Sequence, residues 1–331
     1  MKRLLKVLPL LLAVSLTACS SEIYYEDTLF LFDTTVTYKI RGYRGYSGLK
    51  TEGDTVNILK KIDALSDAYH KRDVVGVYDL NQTNEKMQIS EEFYNLLYWA
   101  KEAEKVAPLF NPLVGSLSNK WKESLEKKTI LSDEIIQTEL EKMNNSELII
   151  EKNEEGMFAQ RKGDALIDLG AVAKGYALDA CHKYLSDYSL GDYLINAGNS
   201  SILLGIKTVK NKKTAQQYSV AINELSNKTS FWASRSIVST SGISEQGVKI
   251  GETTYSHIIN PLTGSAVNNY DAVIVITDDK YGNGAIGDAL STSLMMSTLD
   301  EIKEMEKSLG FNTIVIKNNA ILYKSDSLML S

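Results

Sequence analysis

The sequence predicts an α+β fold. Helical and strand-like patterns mix without the strict alternation of a doubly wound sheet, the strand candidates are short, and no solenoid period or low-complexity tract interrupts them. With 331 residues, 44% hydrophobic and 24% charged, the chain can bury a core and is neither a disordered tail nor a multi-span membrane protein. It exceeds the usual domain of roughly 100 to 150 residues, so one large lobe or two intimately joined lobes are expected. The net charge of −6 excludes the cationic surface that duplex binding requires, so no nucleic-acid partner is expected. The 18 Tyr against 7 Phe and 3 Trp favour surfaces that both stack and hydrogen-bond.

Alternation in Leu29, Leu31, Val36, Tyr38 and Ile40 predicts a strand over 28–41, and 43–48 reads as a turn or loop. Val56, Leu59, Ile62, Leu65 and Tyr69 recur at helical spacing and predict a helix over 54–70. Ser90 before Glu91 and Glu92 is a capped start for a second helix, with Phe93, Leu96, Leu97 and Ala100 inward, and a third begins near Ser132. Short strands are predicted at 147–151, 165–168, 192–196, 201–205, 217–222, 236–240 and 272–277. Helices interleave with them at 171–187, 284–298 and 300–309. The polar stretch 144–146 is the weakest boundary candidate and marks no firm domain cut.

Lys2, Arg3 and Lys6 precede an apolar run from Val7 to Val14, too short to span a bilayer comfortably, and Leu16-Thr17-Ala18-Cys19 closes it. Residues 1–18 therefore read as a lipoprotein signal peptide cut before Cys19, whose thiol carries lipid; an ordinary signal peptide with an incidental Cys is the alternative. Residues 19–27 would be a lipidated stalk and 28–331 the folded domain. Losing Lys2, Arg3 and Lys6 from the 36 cations leaves 33 against 42 anions, a mature balance of −9. Cys181 is then the only other Cys, and no internal disulfide can form.

Four segments carry residue types suited to chemistry. Ile167-Asp168-Leu169-Gly170 leads into an Ala-rich helix with Lys174 near its start, where free amides and a mobile cation favour phosphate, although Gly175 could equally serve close helix packing. Tyr255-Ser256-His257 ends a strand-like stretch beside the turn Asn260-Pro261-Leu262-Thr263-Gly264; His257 can take a hydroxyl proton near neutral pH, or be structural. His70 and His182, on helix segments with Lys neighbours, read as solvated. Asp288 and Thr292, four apart on one helix, put a carboxylate and a hydroxyl on one face within reach of one hard cation. The plainer reading has Asp288 favouring the helix dipole and Thr292 bonding its own backbone. Finally, Leu109-Phe110-Asn111-Pro112 through Gly115, with Trp121 beyond, is a loop that can cover a planar ring or sit in a core.

In this order behind a lipobox, these segments resemble the ApbE family of FAD:protein FMN transferases. The resemblance rests on Asp168 to Ala177, on Asn196-Ala197-Gly198-Asn199, on Ser256 to Gly264 and on Asp288 to Thr292, with Phe32-Asp33-Thr34 and Pro108 to Pro112 as weaker counterparts. It spans residues 29 to about 315. It implies an ApbE-like fold of T-fold-like halves, with mixed or antiparallel sheets and flanking helices. The implied reaction moves FMN from FAD onto a Thr or Ser hydroxyl of an extracytoplasmic flavoprotein and releases AMP, with Mg²⁺ as cofactor and a lipid-anchored location on the outer face of the cell membrane. Carried over by position, Asp288, Thr292 and the Ala171 carbonyl would bind Mg²⁺. Phe32, Leu109, Phe110, Asn111, Asp168, Lys174, His257 and Ser291 would contact FAD, and His257 is the candidate base. A FAD pyrophosphatase and a non-catalytic flavin-binding lipoprotein are the alternatives. Phe32, Asp33, Asn111, Asn199, Ser200 and Asn260 depart from the family pattern, and Asn111 and Asn260 are expected to remove carboxylates from near the phosphates.

Overall fold

The computed structural model describes residues 22–208, 216–243 and 247–331. The signal segment 1–18 and Cys19 lie outside the described residues. β1 (Glu22–Leu31) and β2 (Thr34–Tyr43) form a hairpin, followed by α1 (Tyr46–Ser66), α2 (Val77–Asn81), β3 (Met87–Gln88), α3 (Glu91–Val106), α4 (Gly115–Glu126) and α5 (Asp133–Asn144). Next come β4 (Glu147–Asn153), β5 (Gly156–Lys162), α6 (Ala173–Tyr188), β6 (Tyr193–Ala197), β7 (Ser201–Leu204), β8 (Tyr218–Ala221), β9 (Ser230–Ala233) and β10 (Ser236–Gly242). β11 (Val248–Ile250), β12 (Thr253–Tyr255), β13 (Ala272–Asp278), α7 (Asn283–Leu294), α8 (Leu299–Leu309), β14 (Asn312–Lys317) and β15 (Ala320–Lys324) complete the chain.

An eight-stranded sheet in the order β1-β2-β6-β7-β10-β13-β14-β15 organises the molecule, and its pairings are antiparallel. It divides into two like halves, each a strand pair, helices and a second strand pair: β1-β2, α1 and α6, β6-β7, then β10-β13, α7 and α8, β14-β15. The segment α2 to β5, with its small sheet β3-β5-β4, is inserted in the first half. β13 alternates its apolar residues between the two faces. Val273 and Val275 pack with Leu178, Ala285 and Leu290 of the helices, whereas Ala272, Ile274 and Ile276 pack with Val220, Phe231 and Leu328. Both faces of this half are therefore covered, which is why β13 reads as a continuous apolar run.

The cap expected at Ser90 forms, and Ser132, near which the third helix was expected to begin, caps that helix too. Ser90 Oγ accepts the Phe93 amide at 3.2 Å and Ser132 Oγ accepts the Ile135 amide at 3.4 Å. Other expectations need correction. The predicted strand over 28–41 is two strands broken at Phe32–Asp33, both left-handed, with φ of 54° and 55°. Glu22–Asp27, assigned to the stalk, is the first part of β1, paired along its length with β2. The loop assigned to 43–48 already contains the start of α1, which ends at Ser66, so Tyr69 and His70 follow the helix. Residues 165–168 join no sheet, because their polar groups bond elsewhere. The buried Asn81 side chain brackets Ile167, donating to its carbonyl at 2.9 Å and accepting its amide at 2.8 Å, while Ser116 Oγ accepts the Leu166 amide. Residues 144–146 are the tight connection between α5 and β4.

Candidate active site

One cavity of about 530 Å³ lies where the two halves meet. Phe32, Leu109, Phe110, Asn111, Asp168 and Ala171 line it, as do Lys174, His257, Asp288, Ser291 and Thr292. The candidate residues expected within the folded domain thus converge from five separate stretches of chain.

The hairpin turn supplies Phe32. Its backbone is left-handed, which costs a bulky residue roughly 1 kcal/mol or more, and Asp63 near the end of α1 holds it by accepting the Phe32 amide at 2.6 Å. Burial raises the Asp63 carboxyl above its usual range, and the Phe32 amide opposes the rise. The loop before α4 supplies Leu109 to Asn111. Ser293 of α7 accepts the Leu109 amide at 3.1 Å, and Asn111 Oδ1 accepts the Leu113 amide at 2.8 Å. Asn260 makes the same kind of turn, accepting the Leu262 amide at 2.8 Å. Both side chains therefore do what an aspartate acceptor would do for the loop, so the Asn substitutions leave the turns intact.

The Asp168 amide donates to the Pro112 carbonyl at 2.8 Å, joining this loop to the start of α6. Asp168 accepts the Gly170 amide on Oδ1 at 2.8 Å and the Tyr69 hydroxyl on Oδ2 at 3.1 Å. Gly175 sits where α6 crosses α7, and a Cβ there would meet the Gly284 carbonyl oxygen at 2.0 Å. The packing role weighed for Gly175 is real, and it coexists with the cavity.

Asp288 lies one turn inside α7 and is 6% exposed. Its carboxylate accepts the Gly175 amide at 2.7 Å, Ser239 Oγ at 2.6 Å, and Ser201 Oγ at 2.9 and 3.0 Å. Burial raises its pKa, opposed first by the Lys174 charge and then by these donors. Thr292 Oγ1 donates to the Asp288 carbonyl at 3.1 Å, the back-bond that the plainer reading expected, while still facing the cavity. Asp288 is not the residue that favours the start of α7. Asp179 of α6 does this from outside the helix, accepting the Gly284 and Ala285 amides at 2.9 and 3.0 Å.

His257 follows β12 and opens onto the cavity. Its pKa is lowered, first by the loss of solvent around it and second by the Lys174 charge, with Asp168 opposing. The imidazole is therefore neutral at physiological pH and able to accept a proton. His70 is exposed, as expected. His182 is not: it is half-buried, with Nδ1 at 2.7 Å from the Tyr193 hydroxyl and Nε2 at 3.8 Å from Asp279.

Sequence reasoning missed Tyr69, Ser201, Ser239 and Ser241. Tyr69 sits in the polar run Ser66-Asp67-Ala68-Tyr69-His70 that ends α1, a signal of a loop beside a site. Ser239-Thr240-Ser241-Gly242, a hydroxyl run at a strand end, was the visible trace of the other wall. Ser241 Oγ lies 2.8 Å from Ser291 Oγ and 3.1 Å from Thr292 Oγ1.

Fold and cavity define a two-half α+β protein whose site sets apolar and aromatic walls beside a lysine, a neutral histidine and a buried carboxylate. The family model described as the ApbE family matches residues 32–315, and the chain belongs to that family of enzymes. The FAD:protein FMN transferase of Haemophilus influenzae is 22% identical over 99% of this chain and 97% of its own length. That of Klebsiella pneumoniae is 29% identical over 207 residues, 61% of this chain and 63% of the relative. Among solved structures, the ApbE protein of Thermotoga maritima has a TM-score of 0.76 at 22% identity, covering 92% of this chain and 98% of that one. The flavin transferase ApbE of Vibrio cholerae has a TM-score of 0.70 at 18% identity, covering 93% and 98%.

Proposed function

We propose that this enzyme transfers FMN from FAD to a Thr or Ser hydroxyl of an acceptor protein and releases AMP. The observation that carries the reading is the convergence of Asp168, Lys174, His257, Asp288 and Thr292 on one cavity. Phe32, Leu109 and Phe110 offer apolar surface to the flavin or adenine ring, with Asn111 and Asp168 at the same wall and Ser291 on the facing helix. Lys174 places a cation for the diphosphate. His257 takes the acceptor hydroxyl proton, the hydroxyl oxygen forms a bond to the FMN phosphorus, and the bond from that phosphorus to the AMP phosphate oxygen breaks.

The residues fit a magnesium ion. Among the described residues no group of three His, Cys, Asp or Glu side chains converges as a metal cage. The donors here are instead one buried carboxylate, hydroxyls and carbonyls, the set that suits a hard cation shared with substrate phosphates. Asp288, Thr292 and the Ala171 carbonyl would hold it. When bound, such an ion neutralises phosphate oxygens during displacement.

The lipobox supports an extracytoplasmic enzyme tethered to the cell membrane through lipid on Cys19, acting on flavoproteins of that compartment. The test is a mass spectrum of a Thr-bearing acceptor after incubation with enzyme, FAD and Mg²⁺. One added FMN is expected, with loss of the product in EDTA. An acceptor unchanged under saturating FAD would remove transfer from consideration. His257 lines the cavity, where a water molecule in place of the acceptor hydroxyl would give up its proton to the same base, so AMP released without acceptor at a comparable rate would make the enzyme a FAD pyrophosphatase instead.

A further inference from the structure

Three elements run between the same two ends of the first half. The β1–β2 hairpin turns at Phe32 in the cavity wall, and its open end pairs Glu22 with Tyr43. α1 begins at Tyr46 beside that open end and finishes at the cavity end, where Asp63 takes the Phe32 amide. α6 begins at the cavity with Lys174 and ends at Tyr188, whose carbonyl accepts the Thr51 hydroxyl of α1 at 3.4 Å. The end opposite the cavity therefore gathers Tyr43, Tyr46, Leu49, Tyr184 and Tyr188. Tyr46 is 82% exposed, Tyr188 64% and Leu49 59%. The Tyr184 and Tyr188 rings stack at 4.7 Å, and the Tyr184 hydroxyl donates to Asp54 at 2.6 Å, which fixes this cluster on the two helix ends.

The chain immediately before β1 decides what meets this surface. Only Ser20 and Ser21 separate Cys19 from Glu22. Three Cα steps reach at most about 11 Å, so lipid on Cys19 would bring the open end of the hairpin against the headgroups. A longer stalk would leave orientation free. Here residues 22–27 are spent in the sheet, and the tether is too short for the domain to turn over. Tyrosine suits that layer, with an apolar ring and a hydroxyl that stays wet, and Leu49 can enter the acyl boundary.

We propose that Tyr43, Tyr46, Leu49 and Tyr188 form a bilayer-docking face, which holds the cavity at the far end of the hairpin, about 30 Å from the membrane for a ten-residue strand. This rests on the lipid-anchor reading of Cys19 and is independent of the reaction catalysed. Acceptor proteins are then met above the membrane surface rather than within the headgroups.

The test uses the full lipidated chain on vesicles of phosphatidylcholine and phosphatidylglycerol. Tyr46→Cys, Leu49→Cys and, near the cavity mouth, Leu262→Cys are each spin-labelled; Cys181 is buried and does not compete. Labels at 46 and 49 should relax more with oxygen than with a water-soluble nickel chelate, and the label at 262 should show the reverse. Vesicle-bound protein whose labels at 46 and 49 are as open to nickel as that at 262 would overturn the docking face alone. Protein that stays in the supernatant without lipid on Cys19 would overturn the anchor and the face together. Dipolar broadening between labels at 46 on two chains would assign the surface to self-association and overturn the proposal.

Discussion

The Gly175 amide donates to the Asp288 carboxylate at 2.7 Å, tying the first turn of α6 to the middle of α7 across 113 residues of sequence. The same carboxylate takes the Ser201 and Ser239 hydroxyls. Asp288→Ala would leave these donors without their acceptor, at about 2–4 kcal/mol of stability in urea denaturation. Asp288→Asn keeps the shape and one acceptor, and should fold while losing at least about 100-fold in FMN transfer. Transfer at wild-type rate by a folded Asp288→Asn enzyme would refute the role given to this charge.

Two glycines in helices should respond oppositely to alanine. A Cβ on Gly175 would lie 2.0 Å from the Gly284 carbonyl oxygen, a backbone atom that cannot swing aside, so Gly175→Ala should cost about 3 kcal/mol or fail to fold. Gly53, within α1, has nothing within 4 Å of such a Cβ, and Gly53→Ala should gain about 0.5–1 kcal/mol. Chemical denaturation of the pair measures both.

Asp33 sits at φ 55°, a left-handed backbone that glycine adopts without strain. Asp33→Gly should relieve about 0.5–1 kcal/mol of backbone strain and raise the melting temperature, with the hairpin otherwise unchanged. An unchanged or lower melting temperature would mean that the Asp33 side chain compensates for its backbone.

What was legible in the sequence was local. Ser90 and Ser132 cap their helices because capping needs only three residues of context, and Asp288 and Thr292 share a face because helical spacing guarantees it. Ser201 and Ser239 were not legible as ligands of Asp288, since they face each other only through the β7–β10 pairing that sets Ser201 opposite Ser239. The 165–168 segment looked like a strand because its apolar pattern is strand-like, yet its backbone bonds to the side chains of Asn81, Ser116 and Ser146 and to the backbone of Pro112 and Gly115 rather than to a neighbouring strand. The break at Phe32–Asp33 carried no glycine to announce it; its one trace was a change of phase, from Leu29 and Leu31 to Val36, Tyr38 and Ile40.

Burial raises the Asp179 carboxyl to about 7, with Asp288 adding to the rise and the Ala285, Gly284 and Gly282 amides opposing it. A raised carboxyl contributes stability that is present in full below its unfolded value near 4 and is lost as pH rises through about 7. Stability should therefore fall across that window, and Asp179→Asn should flatten the fall. Melting temperatures of both proteins from pH 4 to 8 give the comparison; parallel curves would place the titration elsewhere.

With its pKa lowered by loss of solvent and by Lys174, His257 should remain an active base below the ordinary histidine range. The acid limb of kcat/KM for transfer should lie below pH ~6.5. His257→Gln should remove that limb and slow transfer by about 100-fold or more while FAD still binds. A limb unchanged in His257→Gln would transfer the role of base to another group.

The cavity draws on both sheet halves: Phe32, Asp168 and Lys174 come from one, Ser241, Asp288 and Thr292 from the other, and the β7–β10 pairing is their seam. Neither portion owns a working pocket by itself. A gene severed at that seam would yield two inert polypeptides whose activity returns only on reassembly, so selection on the chemistry falls on how well the two portions fit as much as on either one.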